Sequence, residues 1–169
     1  MNKNNLVLLG IGGAGMEIAK RNLNNNWILL DSDNTANSDG FMTSDEVNKV
    51  IDAISEFDSV LICVGLGGKF GSSITPKVID LAKKQGKFVG VVAFMPFSFE
   101  GHSRAETAEK AFEEIYKKAD YSVCVSNDSL SGTRKMSFAE TFARGDLIVT
   151  ETKAVIQKLL DESVEASHK

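Results

Sequence analysis

The sequence predicts an α/β fold: a parallel sheet with helices on both faces, ending in a long C-terminal helix. Two observations carry this. Short apolar runs of strand length alternate with stretches whose apolar residues recur at helical spacing, the pattern of a parallel sheet linked by crossover helices. Two of those runs also end in glycine-rich turns, at Gly10–Gly15 and at Gly65–Ser73, where a strand hands over to a helix.

Each element follows in order. Leu6–Leu9 is predicted as a buried strand and Gly15–Leu23 as a helix entered through glycines. Trp27–Leu30 is the second strand, ending at Asp31, and the polar segment from Asp31 to Ser44 is predicted as a loop. Val47, Val50, Ile51 and Ile54 mark a helix over Glu46–Phe57. The strand Val60–Val64 leads into the second glycine turn, and a helix is placed from Pro76, with Val78, Ile79 and Leu81 inward, because proline suits a first turn. Phe88–Phe94 is a strand, and Arg104–Lys118 a helix with Ala108, Ala111, Phe112 and Ile115 on one face. Tyr121–Val125 is the last strand, and a long helix runs from Ser137 to Ser163 before a frayed tail.

At 169 residues the chain is expected to be a single domain, residues 1–169. A net charge of −4 argues against a broad nucleic-acid or anionic-membrane surface. No apolar stretch approaches bilayer length and no secretory segment opens the chain, so the cytoplasm is the expected location. Cys63 and Cys124 lie in strand-like runs and are expected to be buried thiols. His102 and His168 have no metal-ligand company, so no metal site is assigned.

Ligands bind such sheets at the carboxyl ends of the strands, where every turn of interest lies. Glycines there let the chain turn tightly and offer bare N–H groups to an anion. Two such turns suggest one polyphosphate approached from two sides. In Met95–Arg104, Glu100 can accept from ribose hydroxyls, and Arg104 can reach a phosphate or simply pair with Glu100. Asn127 can read a purine edge, or form an Asx turn with Asp128. Phe142 and Asp146 share a helix face; a stacking ring and a carboxylate suit guanine, although Phe142 alone reads equally as core.

In this order the turns resemble the nucleotide-binding domain of the tubulin/FtsZ GTPase superfamily, nearer its bacterial branch. Gly10–Gly15 resembles the family's first glycine loop, and Gly65–Ser72 falls where it carries G-G-G-T-G-[ST]-G. Pro96–Arg104 nearly matches P-F-x-F-E-G-x-x-R, the most specific likeness, and Asn127-Asp128 resembles the family's N-D pair. The resemblance implies a Rossmann-like fold, GTP or GDP as ligand with or without Mg, and head-to-tail filaments. It implies nucleotide contacts at Gly12, Gly13, Gly15, Gly67, Gly68, Lys69, Gly71, Ser72, Glu100, Arg104, Asn127, Phe142 and Asp146. The implied partner is an FtsZ/tubulin-type filament protein, or a second copy through the nucleotide face.

The departures shape the expectation. Phe70 stands where the family has a phosphate-contacting Thr, Lys69 and Ser73 fill glycine positions, and Met16 and Glu17 replace a Gly and an Asn. The segment after Asp31 is short. The acidic loop of the family's second domain, which activates water on a neighbouring subunit's nucleotide, does not occur in this sequence. No catalytic residue is therefore assigned, and the chain is expected not to hydrolyse GTP by itself. Two alternatives stay open: a nucleotide-free interaction scaffold, given Phe70 and Glu17, and an NAD-binding oxidoreductase using Gly10, Gly12, Gly15 and Asp31.

Overall fold

The computed structural model describes residues 5–21, 27–30, 44–132 and 137–167. Asp31, the segment that follows it as far as residue 43, Leu23 and His168 lie outside the described residues.

Apolar runs become strands, the central three buried on both sides and the two edge strands partly exposed. They are β1 (Leu6–Ile11), β2 (Trp27–Leu30), β3 (Ser59–Gly65), β4 (Phe88–Met95) and β5 (Tyr121–Ser126). All pair in parallel, in the order β2-β1-β3-β4-β5. The helices are α1 (Gly12–Arg21), α2 (Ser44–Ile54), α3 (Lys69–Lys84), α4 (His102–Lys118), α5 (Asn127–Ser131) and α6 (Phe138–Ser167). Their end charges suit the helix dipole: Asp45 and Glu46 open α2, while Lys83, Lys84, Lys117 and Lys118 close α3 and α4.

Alternate strand residues feed two separate cores. Val7, Leu9, Val60, Ile62, Val89 and Val91 meet Val50 and Ile54 of α2, Ile74, Val78 and Ile79 of α3, and Ala108 and Ile115 of α4. Leu8, Leu61, Cys63, Val92 and Phe94 meet Ile18 of α1, Leu130 of α5, and Val149 and Ile156 of α6. Helices thus cover both faces, as predicted. The crossover through α1 lies on one face and that through α3 on the other, so a crevice opens where β1 and β3 end side by side. That is the topological switch point of the sheet.

Several boundaries differ from expectation. α1 starts at Gly12 and α3 at Lys69, because the glycine turns are themselves the first helical turns. Pro76 therefore lies inside α3, and in its first turns the Thr75 hydroxyl donates to the Gly71 carbonyl at 2.7 Å. α4 starts at His102 after Gly101, whose φ of 102° only glycine adopts readily. Asn127 and Asp128 form no open turn; they begin α5, whose cap is the Ser126 Oγ accepting from the Ser129 N–H. No glycine or proline follows Ser163, and α6 continues to Ser167 instead of fraying. Cys63 is buried, but Cys124 is exposed because β5 is an edge strand. Among the described residues no helix is long and apolar enough to cross a membrane, and no three His, Cys, Asp or Glu side chains are gathered for a metal.

Candidate functional site

The two glycine turns meet because β1 and β3 are neighbours, with Gly10 opposite Cys63 and Ile11 opposite Val64. Gly15 lets α1 settle between them. A β-carbon there would lie 2.5 Å from the Cys63 carbonyl oxygen and 2.9 Å from Gly10. Gly67 serves the second turn with a φ of 104°, its α-carbon facing Pro96 and the Arg104 main chain. Its N–H donates to the buried Ser72 hydroxyl at 3.0 Å, which closes the turn on itself.

Between these turns and α6 lies a cavity of about 520 Å³, within the usual range of small-molecule sites. Nine of the thirteen nucleotide contacts expected from the sequence line it: Gly12, Gly13, Gly68, Lys69, Gly71, Glu100, Arg104, Asn127 and Phe142. Gly15, Gly67, Ser72 and Asp146 lie outside its lining, the first three shaping the turns behind it. Phe70 lines the cavity and also packs against the core under α3. Glu17 also lines it and is exposed.

The first turns of α1 and α3 both present their N-termini to this cavity. Neither carries an acid there, and Gly68 at the α3 N-cap has no side chain with which to cap the helix. Main-chain N–H groups and the positive helix ends favour an anion at this end. Lys69 and Arg104 add cations beside it.

Glu100 is already engaged. One carboxylate oxygen accepts from the Phe97 N–H at 2.6 Å and the other pairs with Arg104 at 3.3 Å. Asp128 accepts from the Ser98 N–H at 3.1 and 3.2 Å, tying the start of α5 to the same turn. The segment that carries Glu100 and Arg104 is thus held from both sides.

Arg21, at the end of α1, was not a candidate from sequence. Its Nε and Nη2 donate to both oxygens of Asp146 at 2.7 and 3.0 Å, and its guanidinium lies 5.1 Å from the centre of the Phe142 ring. Its partners lie far along the chain, and no local pattern joins a cation in the first helix to an acid in the last. Burial pushes the Cys63 thiol well above its ordinary range, with the nearby Asp146 charge adding to it, which disfavours the thiolate.

A family model described as the Tubulin/FtsZ family GTPase domain matches residues 24–135. The chain is 32% identical over 124 residues to the cell division protein FtsZ of Bartonella bacilliformis, covering 72% of this chain and 21% of that protein. It is 42% identical over 73 residues to FtsZ of Methanothermobacter thermautotrophicus, covering 43% and 19%. Among solved structures, an empty FtsZ dimer from M. jannaschii superposes with a TM-score of 0.71 at 22% identity, covering 88% of this chain and 52% of that one. The GTPγS-bound CetZ2 protofilament from Haloferax volcanii gives 0.69 at 19% identity, covering 90% and 58%. The chain therefore spans about a fifth of these sequence relatives and about half of these structures.

Proposed function

This chain belongs to the tubulin/FtsZ family, and we propose that residues 1–169 form one guanine-nucleotide-binding module that takes GTP or GDP. The observation that carries this is the convergence of two glycine turns from adjacent strands on one cavity. Phosphates would rest on the N–H groups of Gly12, Gly13, Gly68 and Gly71, with Lys69 as counter-charge. Glu100 and Arg104 would border the ribose. Asn127, Phe142 and Asp146 would form the base end, with the purine against the Phe142 ring. Gly15, Gly67 and Ser72 would act through the shape of the two turns.

The module is not proposed to hydrolyse GTP alone. The Glu100 carboxylate is committed to the Phe97 N–H and Arg104, which leaves it poorly placed to activate water. Hydrolysis would need an acidic group brought by a partner, and an FtsZ/tubulin-type filament protein or a second copy of the chain meeting the nucleotide face would supply it.

The test is whether purified protein carries guanine nucleotide, read by chromatography after acid release, together with calorimetric titration of GDP. Bound nucleotide or measurable heat supports the module. Absence of both, in folded protein, favours the scaffold reading that Phe70 and Glu17 suggest.

A further inference from the structure

Two guanidinium nitrogens of Arg21 hold both oxygens of Asp146, a fork-to-fork ion pair between the end of α1 and the middle of α6. The pair is only partly exposed, 32% for Arg21 and 19% for Asp146, and the guanidinium lies over Phe142, whose ring lines the cavity. One cation thus meets both groups that a base would use, the ring for stacking and the carboxylate for its edge.

The chemistry of the two purines gives this meaning. Guanine presents N1–H and N2–H donors, which an unpaired carboxylate accepts; adenine presents an acceptor at N1. A carboxylate already paired with a guanidinium has its charge balanced by that cation and two of its four acceptor sites taken. A base entering here stacks on the guanidinium or displaces it, and flat stacking does not tell one purine from another.

We propose that Arg21 is the specificity-setting residue of the base end: by tying Asp146 and standing over one face of the Phe142 ring, it holds down discrimination between guanine and adenine nucleotides. Affinity then comes from the phosphate end. This inference rests on the nucleotide-binding reading of the same cavity.

The measurement is the ratio of dissociation constants for ADP and GDP, by calorimetry, in the wild type and in Arg21→Met. Freeing Asp146 restores a charged hydrogen bond to the guanine edge, so the variant's ratio is expected to rise roughly tenfold or more. Arg21→Lys keeps the charge without the fork and is expected to give a ratio between the two. In Arg21→Met/Asp146→Asn the gain should disappear. If Arg21→Met fails to fold, judged by circular dichroism, the Arg21→Lys ratio alone decides. A ratio that is unchanged or lower in the folded variants overturns the role of Arg21, while nucleotide binding itself stands. If neither ADP nor GDP binds to folded wild type or variants, the nucleotide reading falls and this inference with it.

Discussion

A β-carbon on Gly15 would sit 2.5 Å from the carbonyl oxygen of Cys63 on the neighbouring strand. Gly10 closes the other side at 2.9 Å, so both obstacles are main chain and neither can swing away. Gly15→Ala is therefore expected to force α1 off β1 and β3. Overpacking of this kind costs about 1–3 kcal/mol, and the rigid neighbours place the loss near the upper end. Urea unfolding of the variant against wild type measures it; a loss within the error of zero would mean that the turn yields.

The two cysteines are expected to differ in reactivity. Cys63 is fully buried between the α1 turn and α6, while Cys124 is exposed on the edge strand β5. A thiol reagent should label one site in the native protein and both after denaturation, by intact mass. Burial raises the Cys63 thiol pKa on folding, and such a group stabilises below its unfolded pKa and loses that contribution as the pH rises past it. Stability should accordingly decline in the alkaline range, and Cys63→Ala should reduce that slope.

Much of this arrangement is legible in the sequence because parallel strands read as short, largely apolar runs. All five strands lie where those runs lie, and the glycine turns, Glu100, Arg104, Asn127 and Phe142 arrive at one end of the sheet by topology alone. The rest is not legible there, for definite physical reasons. Glycines signal turns, so the sequence places the start of α3 at Pro76, whereas the helix opens at Lys69. Edge position is a property of strand order, which fixes the exposure of Cys124. Arg21 meets Asp146 across 125 residues, and a cation near a helix end looks like a solvated one until the fold is known.

A reciprocal cap starts α6. The Ser137 N–H and hydroxyl both donate to the Glu140 carboxylate, at 2.8 and 3.0 Å, and the Glu140 N–H donates to the Ser137 hydroxyl at 3.2 Å. The main-chain bond from Ser137 is the main cause that lowers the Glu140 pKa. A carboxylate lowered on folding stabilises above its unfolded pKa, and that contribution is lost as the pH falls through the lowered value. Melting temperature followed from pH 7 downward should fall in the acidic range, and less so in Glu140→Gln. Equal slopes in the two proteins would remove the cap from the account.

Lys69 separates a phosphate site from a merely polar hollow. It opens α3 at the mouth of the cavity, where the uncapped N–H groups of the same turn already favour an anion. An exposed lysine adds a screened charge contact, so Lys69→Ala is expected to weaken GDP binding by roughly tenfold or less. Guanosine has the same base and ribose but no phosphate, and its binding should be the same in both proteins. The difference should also shrink as salt is raised, because the contact is screened. Calorimetry with the two ligands at two salt concentrations decides the point. A loss shared equally by GDP and guanosine would show that Lys69 shapes the cavity and does not face the phosphates.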